Sequence, residues 1–257
     1  VRTAAPAPRS GAPLLGAPLL AALVAAVLAA GPAAADGYRA IYDVRLAGAA
    51  PLSPVRSAEG RSAVLVAAGC GAASVRQETE IAWEVEGRGR VVATSTYAGE
   101  ERDGVLGFAW SRTTDGAPEE TRSGAADRAG GEIRWDAPRP RRADLPRGAL
   151  FPSEMAGRLA AWAASGAPDA VFLLADGASY HGLREIRASR TGPADADGAL
   201  PVRLAHFDVE RSGLEAGHVV EGRLRTDGVF ADYAVDLGAV RLGFSLRDLA
   251  PAAPCAE

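Results

Sequence analysis

Between residues 75 and 87 the odd positions are Val75, Gln77, Thr79, Ile81, Trp83, Val85 and Gly87, and the even positions are Arg76, Glu78, Glu80, Ala82, Glu84 and Glu86. One side of such a segment is largely apolar and the other mostly charged. That period of two predicts a half-buried antiparallel strand. Gly87-Arg88-Gly89 predicts a turn and 90–98 the next strand. Asp103-Gly104 then introduces 105–113, where Leu106, Phe108 and Trp110 share a face, and Asp115-Gly116 closes that strand. The same patterning predicts strands at 38–46, 61–67, 132–136, 170–174, 181–189, 202–211, 218–226, 230–237 and 240–246.

One stretch departs from this period. Residues 154–165 place Met155, Leu159, Trp162 and Ala163 at helical spacing, and Gly166 follows as a stop. Ser153 is the predicted N-cap, and Glu154 suits the positive helix end. The only cation on its polar face is Arg158, so the apolar stripe is expected to pack on a sheet and not on a membrane surface. Residues 137–149, with Pro138, Pro140, Pro146 and four arginines, read as the loop leading into this helix, and 192–198 as a second loop. The predicted fold is mainly β, a large antiparallel sheet or barrel with one packed helix. No internal repeat or long linker divides it, so 36–257 reads as a single domain.

The head of the chain has a separate meaning. Arg2 and Arg9 precede an unbroken apolar run at 19–30, Gly31-Pro32 ends it, and Ala33-Ala34-Ala35 offers a cleavage site before Asp36. Residues 1–35 are expected to be a secretory signal cleaved between Ala35 and Asp36, leaving a soluble exported protein. No cysteine follows that site, so a lipid anchor is not expected. Cys70 and Cys255 are the only cysteines, and an even count in an oxidising compartment suggests a disulfide.

Composition removes several chemistries. All 28 basic side chains are arginine, and without lysine there is no Schiff base and no P-loop cation. The formal charge is −4, and without residues 1–35 it is −6, from 26 basic and 32 acidic groups. Such a balance argues against nucleic acid as a partner. The absence of Lys and Asn beside abundant Ala, Gly, Arg and Pro points to a GC-rich bacterial source.

Candidate chemistry is sparse. His181, His206 and His218 have no metal-ligand spacing and read as ordinary strand histidines. Gly177-Ala178-Ser179-Tyr180-His181 misses the G-x-S-x-G elbow at its last position and lacks the helix that should follow, which leaves Ser179 a weak nucleophile candidate. Glu100-Glu101 and Glu119-Glu120 are expected to be solvated charge beside turns. Asp195-Ala196-Asp197-Gly198 lacks the later Glu of a calcium loop and reads as a polar turn. Gly69-Cys70-Gly71 lacks the helix of a dinucleotide site. Trp83, Trp110 and Trp162 have core positions by periodicity, which discounts a sugar-stacking face. The sequence therefore predicts no enzyme, no catalytic residue, no metal and no cofactor, with a hydrolase using Ser179 or an acid pair as the minor alternative.

The ordered features resemble the periplasmic cell-envelope integrity proteins of the EipB type, found mainly in alphaproteobacteria. The likeness rests on Tyr38-Arg39-Ala40-Ile41-Tyr42-Asp43-Val44, on the charged strand around Trp83-Glu84, and on Leu145-Pro146-Arg147-Gly148-Ala149-Leu150-Phe151-Pro152-Ser153 before a single helix. Tyr233 and the pair Cys70 and Cys255 complete it. The resemblance implies a β-spiral: a long antiparallel sheet wound into an incomplete barrel, similar to periplasmic lipoprotein carriers, with one helix against it. It further implies a structural Cys70–Cys255 disulfide and a non-enzymatic role in envelope integrity, with a tetratricopeptide-repeat protein as the expected partner. A carrier for a lipid or lipoprotein acyl chain is the competing expectation. It requires Leu106, Phe108 or Trp110 to line a cavity.

Overall fold

The computed structural model describes residues 37–69, 71–179, 182–209 and 216–252. The predicted signal segment with its Ala35–Asp36 cleavage point, Cys70, Cys255 and His181 all lie outside the described residues. In chain order the first strands are β1 (Gly37–Ala49), β2 (Val55–Gly69), β3 (Ala72–Val85), β4 (Gly89–Arg102) and β5 (Val105–Thr114). Next come β6 (Ala117–Asp127), β7 (Glu132–Ala137), β8 (Arg141–Asp144) and the helix α1 (Pro152–Ser165). The chain ends with β9 (Asp169–Leu174), β10 (Arg184–Arg190), β11 (Leu200–Asp208), β12 (His218–Leu224), β13 (Phe230–Asp236) and β14 (Val240–Pro251).

All fourteen strands belong to one antiparallel sheet, in the order β8-β7-β6-β5-β4-β3-β2-β1-β14-β13-β12-β11-β10-β9. The chain winds outward from β1 to β8, crosses through α1 to the far edge, and returns strand by strand until β14 pairs with β1. No ladder joins β8 to β9 among the described residues, so the barrel is incomplete there. A single parallel bridge between Leu150 and Leu174 lays the entry to α1 against β9.

Alternation becomes burial as the sequence predicts. On β3 the odd residues Val75, Gln77, Thr79, Ile81, Trp83 and Val85 are all buried. On β5 the inward set is Leu106, Phe108 and Trp110. Two hairpins owe their register to Asp-Gly: Asp103 and Gly104 have φ of 51° and 79°, Asp115 and Gly116 have 51° and 77°. Two successive left-handed residues make the type I′ turn whose twist matches a hairpin.

Winding a flat ladder into a spiral needs places where backbones can close up. A Cβ on Gly60 would lie 2.0 Å from the Glu80 carbonyl oxygen, and one on Gly124 would lie 1.9 Å from that of Arg134. Glycine at these points lets neighbouring strands approach and bend.

Two strands escape sequence reading. β6 begins Ala-Pro-Glu-Glu and buries only Ala126, so it shows no apolar alternation. Its hairpin turn and the pairing of Arg112 with Glu120 hold it in place. β8 occupies four residues of the stretch predicted as loop, where Arg141 pairs with Trp135 and Asp144 with Glu132. Short, charged and flanked by prolines, it makes a poor template for further pairing.

The helix falls where predicted and ends at Gly166, whose φ is 81°. Its buried face carries Met155, Leu159 and Trp162. Its cap differs from expectation: the N-cap is Phe151, one turn residue earlier than the proline, and Ser153 lies inside the helix. The Glu154 carboxylate accepts the Phe151 N–H at 2.8 Å. Glu101 of β4 accepts both the Ser153 N–H, at 2.8 Å, and the Ser153 hydroxyl. A neighbouring strand thus satisfies orphan donors that the helix's own residues leave open.

Candidate functional site

Polar side chains on the inward face are concentrated in two places. The first is a belt across consecutive strands, where Ser62, Thr79, Ser95 and Arg112 stand in register from β2 to β5. The hydroxyls of Ser62 and Thr79 lie 2.7 Å apart, Gln77 reaches both at 3.4 Å, and the Trp110 indole donates to Ser95 at 3.2 Å. Arg112 is buried and its Nε lies 2.8 Å from Glu119, with Glu120 at 3.7 Å. Glu119 and Glu120 are therefore counter-ions for a buried guanidinium, and Glu101 is a helix cap. Glu100 and Glu119 are exposed, as their positions beside turns predict, whereas Glu101 and Glu120 are half-buried in these contacts.

The second concentration lies where β9 hands over to β10. Residues 175–179 are buried, although they form a connection and not a strand. Gly177 has φ of 69°, and a Cβ there would sit 2.4 Å from the ring of Phe108. The Trp135 indole donates to the Gly177 carbonyl at 3.1 Å. The turn therefore reaches across the opening and packs on β5 and β7. Its own hydrogen bonds run through Asp176, whose Oδ1 accepts the N–H groups of Ala178 at 2.9 Å and Ser179 at 3.4 Å. Arg184 of β10 stands 3.6 Å from the other carboxylate oxygen, and both side chains are buried.

Beside this ion pair lie two histidines. His206 and His218 are direct partners across the β11–β12 ladder, and their rings stack with centroids 4.2 Å apart at 20°. Burial, and then the Arg184 charge, pull His206 down to about 3. Burial, then His206 and Arg184, hold His218 well below the ordinary imidazole value. Both rings are neutral at pH 7. The Tyr97 phenol is raised, first by burial and then by Asp176 and Glu101.

The Ser179 hydroxyl donates to Asp208 at 2.8 Å, and a carboxylate there does not supply the imidazole base of a triad. Asp195 accepts the N–H groups of Asp197 at 3.0 Å and Ala199 at 2.9 Å, and pairs with Arg223 at 2.8 Å. Its segment is a polar turn, as predicted. No group of three or more His, Cys, Asp or Glu able to hold a metal ion occurs among the described residues. All four tryptophans are buried.

Sequence reading missed the encounter of His206 with His218. The signal was available: the two are equidistant from residue 212, between two predicted strands, so a simple hairpin puts them opposite each other.

Comparison with known proteins agrees with this architecture. A beta-barrel-like protein of the domain of unknown function DUF1849 from Brucella abortus, known from its crystal structure, superposes with a TM-score of 0.73. It shares 20% identity, over 85% of this chain and 98% of its own. No curated protein matches the chain. The family model described as EipB-like matches residues 29–253, nearly the whole of the chain that the sheet and helix occupy. The protein belongs to the EipB-like family.

Proposed function

We propose that the protein is an exported, non-enzymatic factor that supports the integrity of the cell envelope by binding another periplasmic protein. A tetratricopeptide-repeat protein is the expected partner class. Family membership supports the envelope role, and the EipB-like family is not a known enzyme family. No helix among the described residues is long and apolar enough to cross a membrane.

One observation favours partner binding over carriage of an acyl chain. Leu106, Phe108 and Trp110 expose only 0%, 5% and 2% of their surface, so these positions do not line a water-sized cavity. Phe108 is spent on Trp135, with ring centroids 6.2 Å apart, and on the Gly177 turn. Trp110 is spent on Ser95 and on Arg122, whose guanidinium lies 4.6 Å from the ring centre. A carrier needs such residues free to meet a ligand.

The test is a clean deletion of the gene, plated on detergent and on cell-wall antibiotics. The expected result is increased sensitivity to both, restored by the intact gene. An unchanged sensitivity profile would remove the envelope role.

A further inference from the structure

Given the protein-binding role proposed above, on which this rests, we propose that the partner protein docks on the outer face of the sheet where β1 meets β2 and β14. Leu52 is its apolar anchor, and an arginine-rich groove below takes an acidic segment of the partner.

Leu52 is 97% exposed, the most exposed large apolar side chain among the described residues. A single exposed leucine is ordinary on a protein surface. This one is held in place. The Ser53 N–H donates to the Ala50 carbonyl at 2.9 Å, closing a turn in which Pro51 presets the backbone ahead of Leu52. On one flank the Ala50 N–H donates at 3.0 Å to Ala239, between β13 and β14. On the other, the Glu86 N–H, between β3 and β4, donates at 2.8 Å to Pro54. Two neighbouring hairpins thus brace the turn, and a braced side chain loses little freedom on binding. Ala49, Ala50, Pro51 and Ala239 are exposed beside it, and residues 46–55 carry no charge.

Below the turn, across β1 to β4 and β14, lies a groove of about 540 Å³. Its cations are Arg45, Arg61, Arg90 and Arg247, against the carboxylates of Asp43, Glu59 and Glu80. Arg61 and Arg247 stand 3.8 and 3.3 Å from Asp43, and Arg90 stands 3.8 Å from Glu59. Glu80 faces Arg61 across the β2–β3 ladder. The Arg45 side chain is exposed and makes neither an ion pair nor a hydrogen bond among the described residues, because Glu59, opposite it on β2, turns to Arg90. A chain of net charge −4 thus gathers an excess of cation here, with one guanidinium uncommitted. A carboxylate of the partner complements it.

Anchor and groove fit one footprint. At about 3.4 Å per residue, Arg45 lies about 14 Å along β1 from Ala49, where the turn begins. A standard interface covers about 800 Å² per partner, a patch about 30 Å across. A protein suits this surface better than a bilayer does. One leucine is too little to hold a protein in lipid, and the groove's carboxylates oppose an anionic headgroup layer.

The test compares wild type, Leu52→Asp, Arg45→Glu and Val171→Asp, each as the full chain purified natively from its own cells. The partner held by the wild type is identified by mass spectrometry and purified, and its affinity for each variant is measured. Leu52→Asp and Arg45→Glu remove no side-chain contact of the fold, so their melting temperatures should match the wild type. Val171, 63% exposed on β9 and six strands from β1 in the sheet, is the control. Leu52→Asp is expected to weaken binding about ten- to hundred-fold, the worth of one buried leucine. Arg45→Glu should weaken it about ten-fold at low salt and less at high salt. Val171→Asp should leave it unchanged. Wild-type affinity in either Leu52→Asp or Arg45→Glu would overturn this docking surface while the protein-binding role stands. A wild type that holds no partner removes both. An equal loss in Val171→Asp, or a wild-type dimer that Leu52→Asp turns into a monomer, also overturns the proposal, the latter by giving the surface to a second copy of the chain.

Discussion

Replacing Gly177 with alanine asks the inward turn to hold a methyl group where there is no room for one. Two costs arise, and they can be separated. Gly177 has φ of 69°, a left-handed conformation that costs an L-residue roughly 1–2 kcal/mol. The new Cβ would also lie 2.4 Å from three ring carbons of Phe108, which requires the ring to move by about 1 Å, at roughly 1–3 kcal/mol for overpacking. The expected loss is therefore about 2–5 kcal/mol. Only the second cost depends on Phe108. In a Phe108→Leu background the alanine should cost only the backbone part, about 1–2 kcal/mol. The four proteins form a cycle, to be measured by equilibrium urea denaturation followed by circular dichroism, with midpoints compared at unchanged slope. A coupling of about 1–3 kcal/mol is expected between positions 69 residues apart in sequence, given that Gly177 follows β9 and Phe108 lies on β5. Costs that add to within about 0.5 kcal/mol would refute the packing of this turn on β5.

Other expectations follow from the same structure. Gly60→Ala drives a methyl to 2.0 Å from a backbone carbonyl, which cannot step aside as a side chain can. A loss of at least about 3 kcal/mol in urea is expected, and a neutral result would contradict the close approach of β2 and β3. Glu101→Ala uncovers the Ser153 donors at the start of α1 and should cost about 1–3 kcal/mol, with Glu101→Gln recovering part of it. Global stability should decline in acid because His206 is depressed: about 2 kcal/mol is lost from that group between pH 7.5 and 5, and His206→Leu should flatten the slope. A Cys70–Cys255 bridge, closing a loop of 185 residues, would contribute up to about 5 kcal/mol. Equal melting temperatures with and without reductant would show that no such link supports the fold.

The sequence disclosed the strands whose two faces differ most in chemistry. In β3 every even position from Arg76 to Glu84 except Ala82 is charged, so burial of the odd face was readable directly. The Asp-Gly turns were equally plain, because few residues tolerate two successive positive φ values. β6 and β8 were hidden for the opposite reason: their pairing is fixed by neighbours and not by their own apolar content. The helix cap was misread because Ser153 is a good capping residue locally, while Glu101, which bonds it, is 52 positions away in sequence. The polar site was legible only in fragments. Ser179, His206 and His218 were visible as residue types, but Asp176 and Arg184 gave no local signal. Their importance comes from a turn that folds inward, which no period in the sequence announces.

The central claim is that this EipB-like protein acts by binding a protein while its concave face remains packed. Native purification of the protein from its own cells, with co-purifying proteins and extracted lipids identified together by mass spectrometry, tests that most directly. The account expects a stoichiometric protein partner and no stoichiometric acyl lipid. A bound acyl lipid or lipoprotein in place of a protein partner would contradict it and return the inward residues Leu106, Phe108 and Trp110 to the role of a binding surface.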